Sequence, residues 1–119
     1  MTNQELEGYC LSKKGAEKSY PFDNVTAVYK VGNKMFALSS DDSTDVRVNL
    51  KCDPVYALEL RSIYESVIAG YHMSKKHWNT VTCNQEIEDA LVKEWIDDSY
   101  GLVFSALTKK LQNEINLKG

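Results

Sequence analysis

The apolar and polar positions along the chain predict an alternation of helices and strands. Over 4–12 the spacing is helical: Leu6, Tyr9 and Cys10 share a side, Lys13 continues the period, and Gly15 is placed to end the helix. The stretch 19–24 is a turn-rich connection that lays Tyr20 and Phe22 against the body. Three strands follow. The first, 25–31, is β-branched and aromatic. Gly32-Asn33 makes a two-residue hairpin turn, and 34–39 returns with Met35, Phe36, Ala37 and Leu38. After a polar loop at Asp41-Asp42-Ser43, the stretch 45–51 alternates, with Val46, Val48 and Leu50 on one face and Arg47, Asn49 and Lys51 on the other. That period of two predicts one buried and one wet face.

Asp53-Pro54 starts a helix, with Asp as N-cap and Pro at the first helical position. Tyr56, Leu58, Leu60, Ile63 and Tyr64 supply its apolar side. A short strand is expected at 67–69, then a Lys75-Lys76 loop, then a final strand over 77–82. Thr82 and Gln85 have capping-box spacing, and a long helical stretch over 85–113 carries Ile87, Leu91, Trp95, Leu102, Val103, Ala106, Leu107 and Leu111 as its inward stripe. A kink or a second start is expected near 97–101. The order α-βββ-α-ββ-α predicts an α+β fold of one domain over 1–119: a two-layer sandwich, its antiparallel sheet covered by helices on one face. The other face is left open to a partner.

Charge changes this picture locally rather than globally. The chain of 119 residues has 14 Lys and Arg against 17 Asp and Glu, a formal charge of −3. That argues against strong non-specific DNA binding by the whole surface, because phosphate attraction grows with the number of basic contacts. The distribution is uneven, however. The acids Glu86, Glu88, Asp89, Glu94, Asp97 and Asp98 crowd into 84–98, whereas 71–83 carries only bases among its charges. No apolar run is long enough to span a bilayer and the N-terminus lacks a signal-peptide pattern, so a cytoplasmic location is expected. Cys10, Cys52 and Cys83 are widely spaced and odd in number, which favours free thiols over disulfides or structural zinc. No phosphate loop, nucleophile elbow or zinc-protease motif is present, and nothing in the sequence sets a base beside Cys52 or Cys83. A binding protein is therefore expected, without catalysis or cofactor, and monomeric because one small core consumes its apolar stripes.

The densest recognition chemistry lies at 70–81, Gly-Tyr-His-Met-Ser-Lys-Lys-His-Trp-Asn-Thr-Val. Together with Tyr20-Pro21-Phe22, Gly32-Asn33-Lys34-Met35-Phe36-Ala37, Val48-Asn49-Leu50-Lys51-Cys52 and Asp98-Ser99-Tyr100, this run resembles the MmcQ/YjbR family over essentially the whole chain. The resemblance implies a fold similar to the CyaY/frataxin-like sandwich and a DNA-binding role.

Three readings of the surface follow. In the first, Lys75, Lys76 and His77 form a basic hairpin tip that contacts phosphate, supported by Asn79 and by the strand row Arg47, Asn49 and Lys51, with Lys30 near it. Trp78 and Asn79 must point to opposite faces; Trp78 is expected to be largely buried among the helices, which would leave Asn79 on the binding side. In the second, the same open sheet binds a protein, with Trp78 turned outward as its anchor and His72 beside it. In the third, frataxin-like in character, metal is held by Glu86, Glu88 and Asp89. A site from His72 and His77 with Cys83 has no recognised zinc spacing, so no metal ligand is assigned.

Overall fold

The structure is a computed structural model that describes residues 1–41, 44–70 and 73–118. In chain order the elements are α1 (Asn3–Leu11), β1 (Glu17–Ser19), β2 (Thr26–Val31), β3 (Lys34–Ser40), β4 (Arg47–Lys51), α2 (Pro54–Ile63), β5 (Val67–Ala69), β6 (Trp78–Thr82), α3 (Asp89–Ser105) and α4 (Lys109–Lys118). The strands form a six-stranded sheet in the order β1-β2-β3-β4-β6-β5, and each neighbouring pair is antiparallel. The expected α+β sandwich is therefore the observed fold.

Local chemistry accounts for the elements. Gly32 and Asn33 both sit at positive φ (55° and 69°), the mirror-image turn that matches strand twist, and they join β2 to β3. Asp53 caps α2 by accepting from the Val55 and Tyr56 N–H groups, with Pro54 in the first turn. Thr2 and Glu5 cap α1 reciprocally.

Three elements depart from the sequence reading. β1 is an additional edge strand of three residues, too short and too exposed to leave an apolar alternation. α3 begins at Asp89 with Glu88 as N-cap, so Thr82 and Gln85 do not act as a capping box. The long helical stretch breaks after Ser105, not at 97–101. Ser99 is fully buried there and needs the helix intact, because its hydroxyl donates to the Phe36 carbonyl (2.6 Å) and accepts from the Lys51 N–H (2.9 Å). The new start lies at Thr108, whose hydroxyl accepts from the Leu111 N–H at 3.2 Å.

All four helices lie on one side. Leu6 and Cys10 from α1, Ala57 and Leu60 from α2, Val92, Trp95 and Ile96 from α3, and Ile115 from α4 join Ala27, Tyr29, Ala37, Val48, Leu50 and Val81 of the sheet in one core. Tyr100 reaches across from α3, its ring edge-on to Phe36 at 5.4 Å and its hydroxyl donating to the Lys14 carbonyl. The opposite face carries a second, smaller cluster of Val28, Leu38 and Trp78, with Met35 and Met73 packed against it. That second cluster sets the geometry of the open face.

Candidate functional site

The register decides which residues share the open face. In β4 the burial alternates, with Val48 and Leu50 inward and Arg47, Asn49 and Lys51 outward, as the period of two predicted. Lys51 is the cross-strand partner of Trp78, Asn49 of Thr80, and Arg47 of Thr82. The Cys52 N–H donates to the His77 carbonyl at 2.8 Å. Lys51 is thereby brought to the corner where exposed Lys75, Lys76 and His77 lead into β6, with Lys76 lying on the α2 side beside Pro54, Val55, Leu58 and Arg61. Among the described residues, none of the three lysines has a carboxylate at ion-pair distance. Asp53 is close in sequence, but its carboxylate is engaged in capping α2.

Arg47 does not join this corner. It lies at the far end of β4, about 13 Å away at ~3.3 Å per residue, and pairs with Asp45 at 3.7 Å. Asn49 stands between the two ends, half-buried, and accepts a hydrogen bond from the Thr80 hydroxyl.

Trp78 and Asn79 do face opposite ways, but the sides are the reverse of those expected. Asn79 is 2 % exposed and points into the helical layer, so it is not on the binding side. Its side-chain carbonyl accepts from Arg61 Nε at 2.6 Å, and its amide donates to the Ala57 carbonyl at 3.4 Å. Trp78 points to the open face, yet it is only 8 % exposed because it packs with Val28, Leu38 and Met73. It is a floor for that face rather than a projecting anchor. Gly70 makes this possible: its N–H donates to the Trp78 carbonyl at 2.8 Å, and an added Cβ would lie 2.8 Å from Trp78 Cβ and 3.0 Å from the Trp78 carbonyl oxygen. His72 lies outside the described residues, as do Tyr71, Asp42 and Ser43.

Two features escaped the sequence reading. Arg61 of α2 clasps the β5–β6 connection, donating from Nη2 to the Lys75 carbonyl and to the Trp78 carbonyl (3.2 Å). Its donors meet neutral acceptors, so its charge adds to the basic corner. The second feature is a trough of about 830 Å³ on the open face, lined by Phe22, Met35, Leu38 and Met73 with Asn49 and Ser74 at the end nearest Lys51 and Lys75. Its signal was present in the sequence: 27–29 and 35–38 are apolar at every position, and a strand that is apolar on both faces has something to cover on each.

Three acids of the acidic stretch, Glu86, Asp89 and Asp97, are held by structural contacts. Glu86 accepts from the Glu65 and Ser66 N–H groups (3.2 and 2.8 Å). Asp89 pairs with the N-terminal amine, and Asp97 with Lys13 and the Tyr9 hydroxyl. Among the described residues no group of three His, Cys, Asp or Glu is placed to hold a metal ion. Cys52 opens onto a cleft of about 350 Å³ with Tyr56, Asp97, Asp98 and Leu102. Burial, reinforced by Asp53 and Asp98, pushes the Cys52 thiol up to about 11, so it stays protonated at neutral pH. Burial likewise raises the Asp98 carboxyl, helped by Glu94 and Asp97. No helix among the described residues is long and apolar enough to cross a membrane.

The chain is similar to known proteins in sequence and fold. The chain is 41 % identical to the Escherichia coli protein YbdF over 99 residues, covering 83 % of this chain and 81 % of the relative. It is 34 % identical to Escherichia coli YjbR over 100 residues, covering 84 % and 85 %. A crystal structure of a Deinococcus radiodurans protein with a DUF419 domain superposes with a TM-score of 0.91 at 35 % identity, over 97 % of this chain and 88 % of that one. A Pseudomonas syringae protein gives a TM-score of 0.75 at 25 % identity, over 87 % and 99 %. The sequence profile named YjbR matches residues 11–102, and the chain belongs to the YjbR family.

Proposed function

We propose that this chain is a non-catalytic, monomeric, cytoplasmic module that binds DNA on its open sheet face. The observation that carries the reading is the gathering of Lys51, Lys75, Lys76 and His77 at one corner, where no carboxylate among the described residues pairs with the lysines. Long basic side chains on a rigid strand end and a clasped loop meet phosphate oxygens without needing a recognition helix. Arg61 contributes by holding the loop carbonyls, which limits the ordering cost of binding.

A protein partner on the same face is the second reading, favoured by the apolar trough. A labelled DNA titrated with wild type and with the Lys75→Glu, Lys76→Glu double variant separates the two. The DNA reading expects at least a tenfold loss of affinity in the variant, since each reversed charge removes a phosphate contact and adds a repulsion. Unchanged affinity would remove this corner from the interface.

A further inference from the structure

The open face has a shape that the basic corner alone does not explain. We infer that its ligand is single-stranded nucleic acid, whose bases enter the trough of Phe22, Met35, Leu38 and Met73 while its phosphates meet Lys51, Lys75 and Lys76. This rests on the nucleic-acid reading and narrows it.

Reading the bases of a duplex needs an element that projects into a groove. The described residues 73–78 are tied back at several points. Met73 packs down on the open-face cluster, Trp78 is buried beneath it, and Arg61 ties the Lys75 and Trp78 carbonyls to α2. A duplex would therefore meet this face only through its phosphates and leave the apolar trough empty. A single strand offers both chemistries at once. Its phosphates suit the lysines and its unstacked bases suit an apolar floor with an aromatic platform. Phe22 is that platform: it lies on the trough wall and is 65 % exposed, so its ring is open to a stacking partner. The two halves are contiguous. Asn49 and Ser74 line the trough, and Lys51 and Lys75 are their neighbours along the chain, two and one residues on. At the other end, the Asp23 carboxylate is turned back to accept from Val25 N–H, Thr26 N–H and the Thr26 hydroxyl. The bound strand is thus expected to run from the lysine corner toward Phe22.

The test is fluorescence anisotropy with a labelled mixed-sequence strand, as DNA and as RNA, and with the corresponding DNA duplex. The proteins are wild type, Phe22→Ala and the Lys75→Glu, Lys76→Glu variant. Phe22 is largely exposed, so its truncation should leave the melting curve in place and isolate the contact. Expected are at least tenfold tighter binding of a single strand than of the duplex, and about a tenfold loss of single-strand affinity in Phe22→Ala, the worth of one stacked base. Preference for the DNA or the RNA strand would identify which source the face serves. Duplex binding as tight as single-strand binding, or indifference to Phe22→Ala, overturns the inference. If the lysine variant still loses affinity in that case, the corner stands and only the trough's role falls. Binding of neither form overturns both.

Discussion

At the scale of single residues, Asn79 shows how a polar side chain can serve an interface without touching the ligand. It is buried, accepts from Arg61 and donates to the Ala57 carbonyl. Arg61 in turn holds the carbonyls of Lys75 and Trp78. Asn79→Ala leaves the Arg61 Nε–H without its acceptor in a partly buried setting, which costs about 1–3 kcal/mol. Denaturant unfolding should show that loss, while the affinity of the folded fraction for nucleic acid stays close to wild type. Unchanged stability together with selective loss of binding would instead make Asn79 a contact residue. The parity of Trp78 and Asn79 was legible in the sequence, because alternation is a property of any strand. Their sides were not. An Asn is normally assigned to solvent and a Trp to the main core, and only the donor supplied by α2 and the second apolar cluster reverse that preference.

Among the elements, the segment between β6 and α3 is anchored by buried Ile87, by Asn84 bonded to Ser66 and by the Glu86 carboxylate. Glu86 reaches back to the turn before β5, and its hydrogen bonds to Ser66 and Glu65 hold its carboxyl below the ordinary value of 4.5. A carboxyl depressed in the folded state stabilises the fold above its unfolded pKa. That contribution disappears as pH falls through the folded value, below about 4.5. Glu86→Gln should therefore lower the melting temperature at neutral pH and converge with wild type at the acid end. Parallel curves over the whole range would show that the ionised carboxylate contributes nothing there. The hairpin of β2 and β3 was readable from Gly32-Asn33, a dipeptide that accepts positive φ. The helix break was not readable at its true place. Gly101 and the acids around it suggested a start, but buried Ser99 keeps α3 continuous and Thr108 supplies the cap of α4. The Cβ that Gly32 lacks would stand 2.7 Å from Leu107 Cδ1 and 2.9 Å from Leu111 Cδ2, so the α3–α4 turn and α4 are seated directly on the hairpin turn. Tertiary fit of this kind outweighs local propensity and leaves no local signature.

For the molecule as a whole, a formal charge of −3 coexists with a basic corner because charge is unevenly distributed and several carboxylates are held in structural contacts. Glu86 closes a turn, Asp53 caps α2, Asp97 holds Lys13, and Glu7 holds Lys18. The layered architecture and the outward row of β4 could be read from periodicity. The gathering of Lys51 with Lys75 and Lys76, and the separation of Arg47 from them, depended on the antiparallel register of β4 with β6, which a linear pattern does not contain. The central claim is that this corner binds nucleic acid through phosphate contacts. It is tested most directly by measuring the dissociation constant of a labelled oligonucleotide, single-stranded and duplex, from low to near-physiological salt. About three lysine contacts predict that the dissociation constant rises with salt, with a log–log slope of about +2 for the single strand and about +3 for the duplex. A dissociation constant that does not change with salt, or no binding at the lowest salt, would contradict the account and leave the open face to a protein partner.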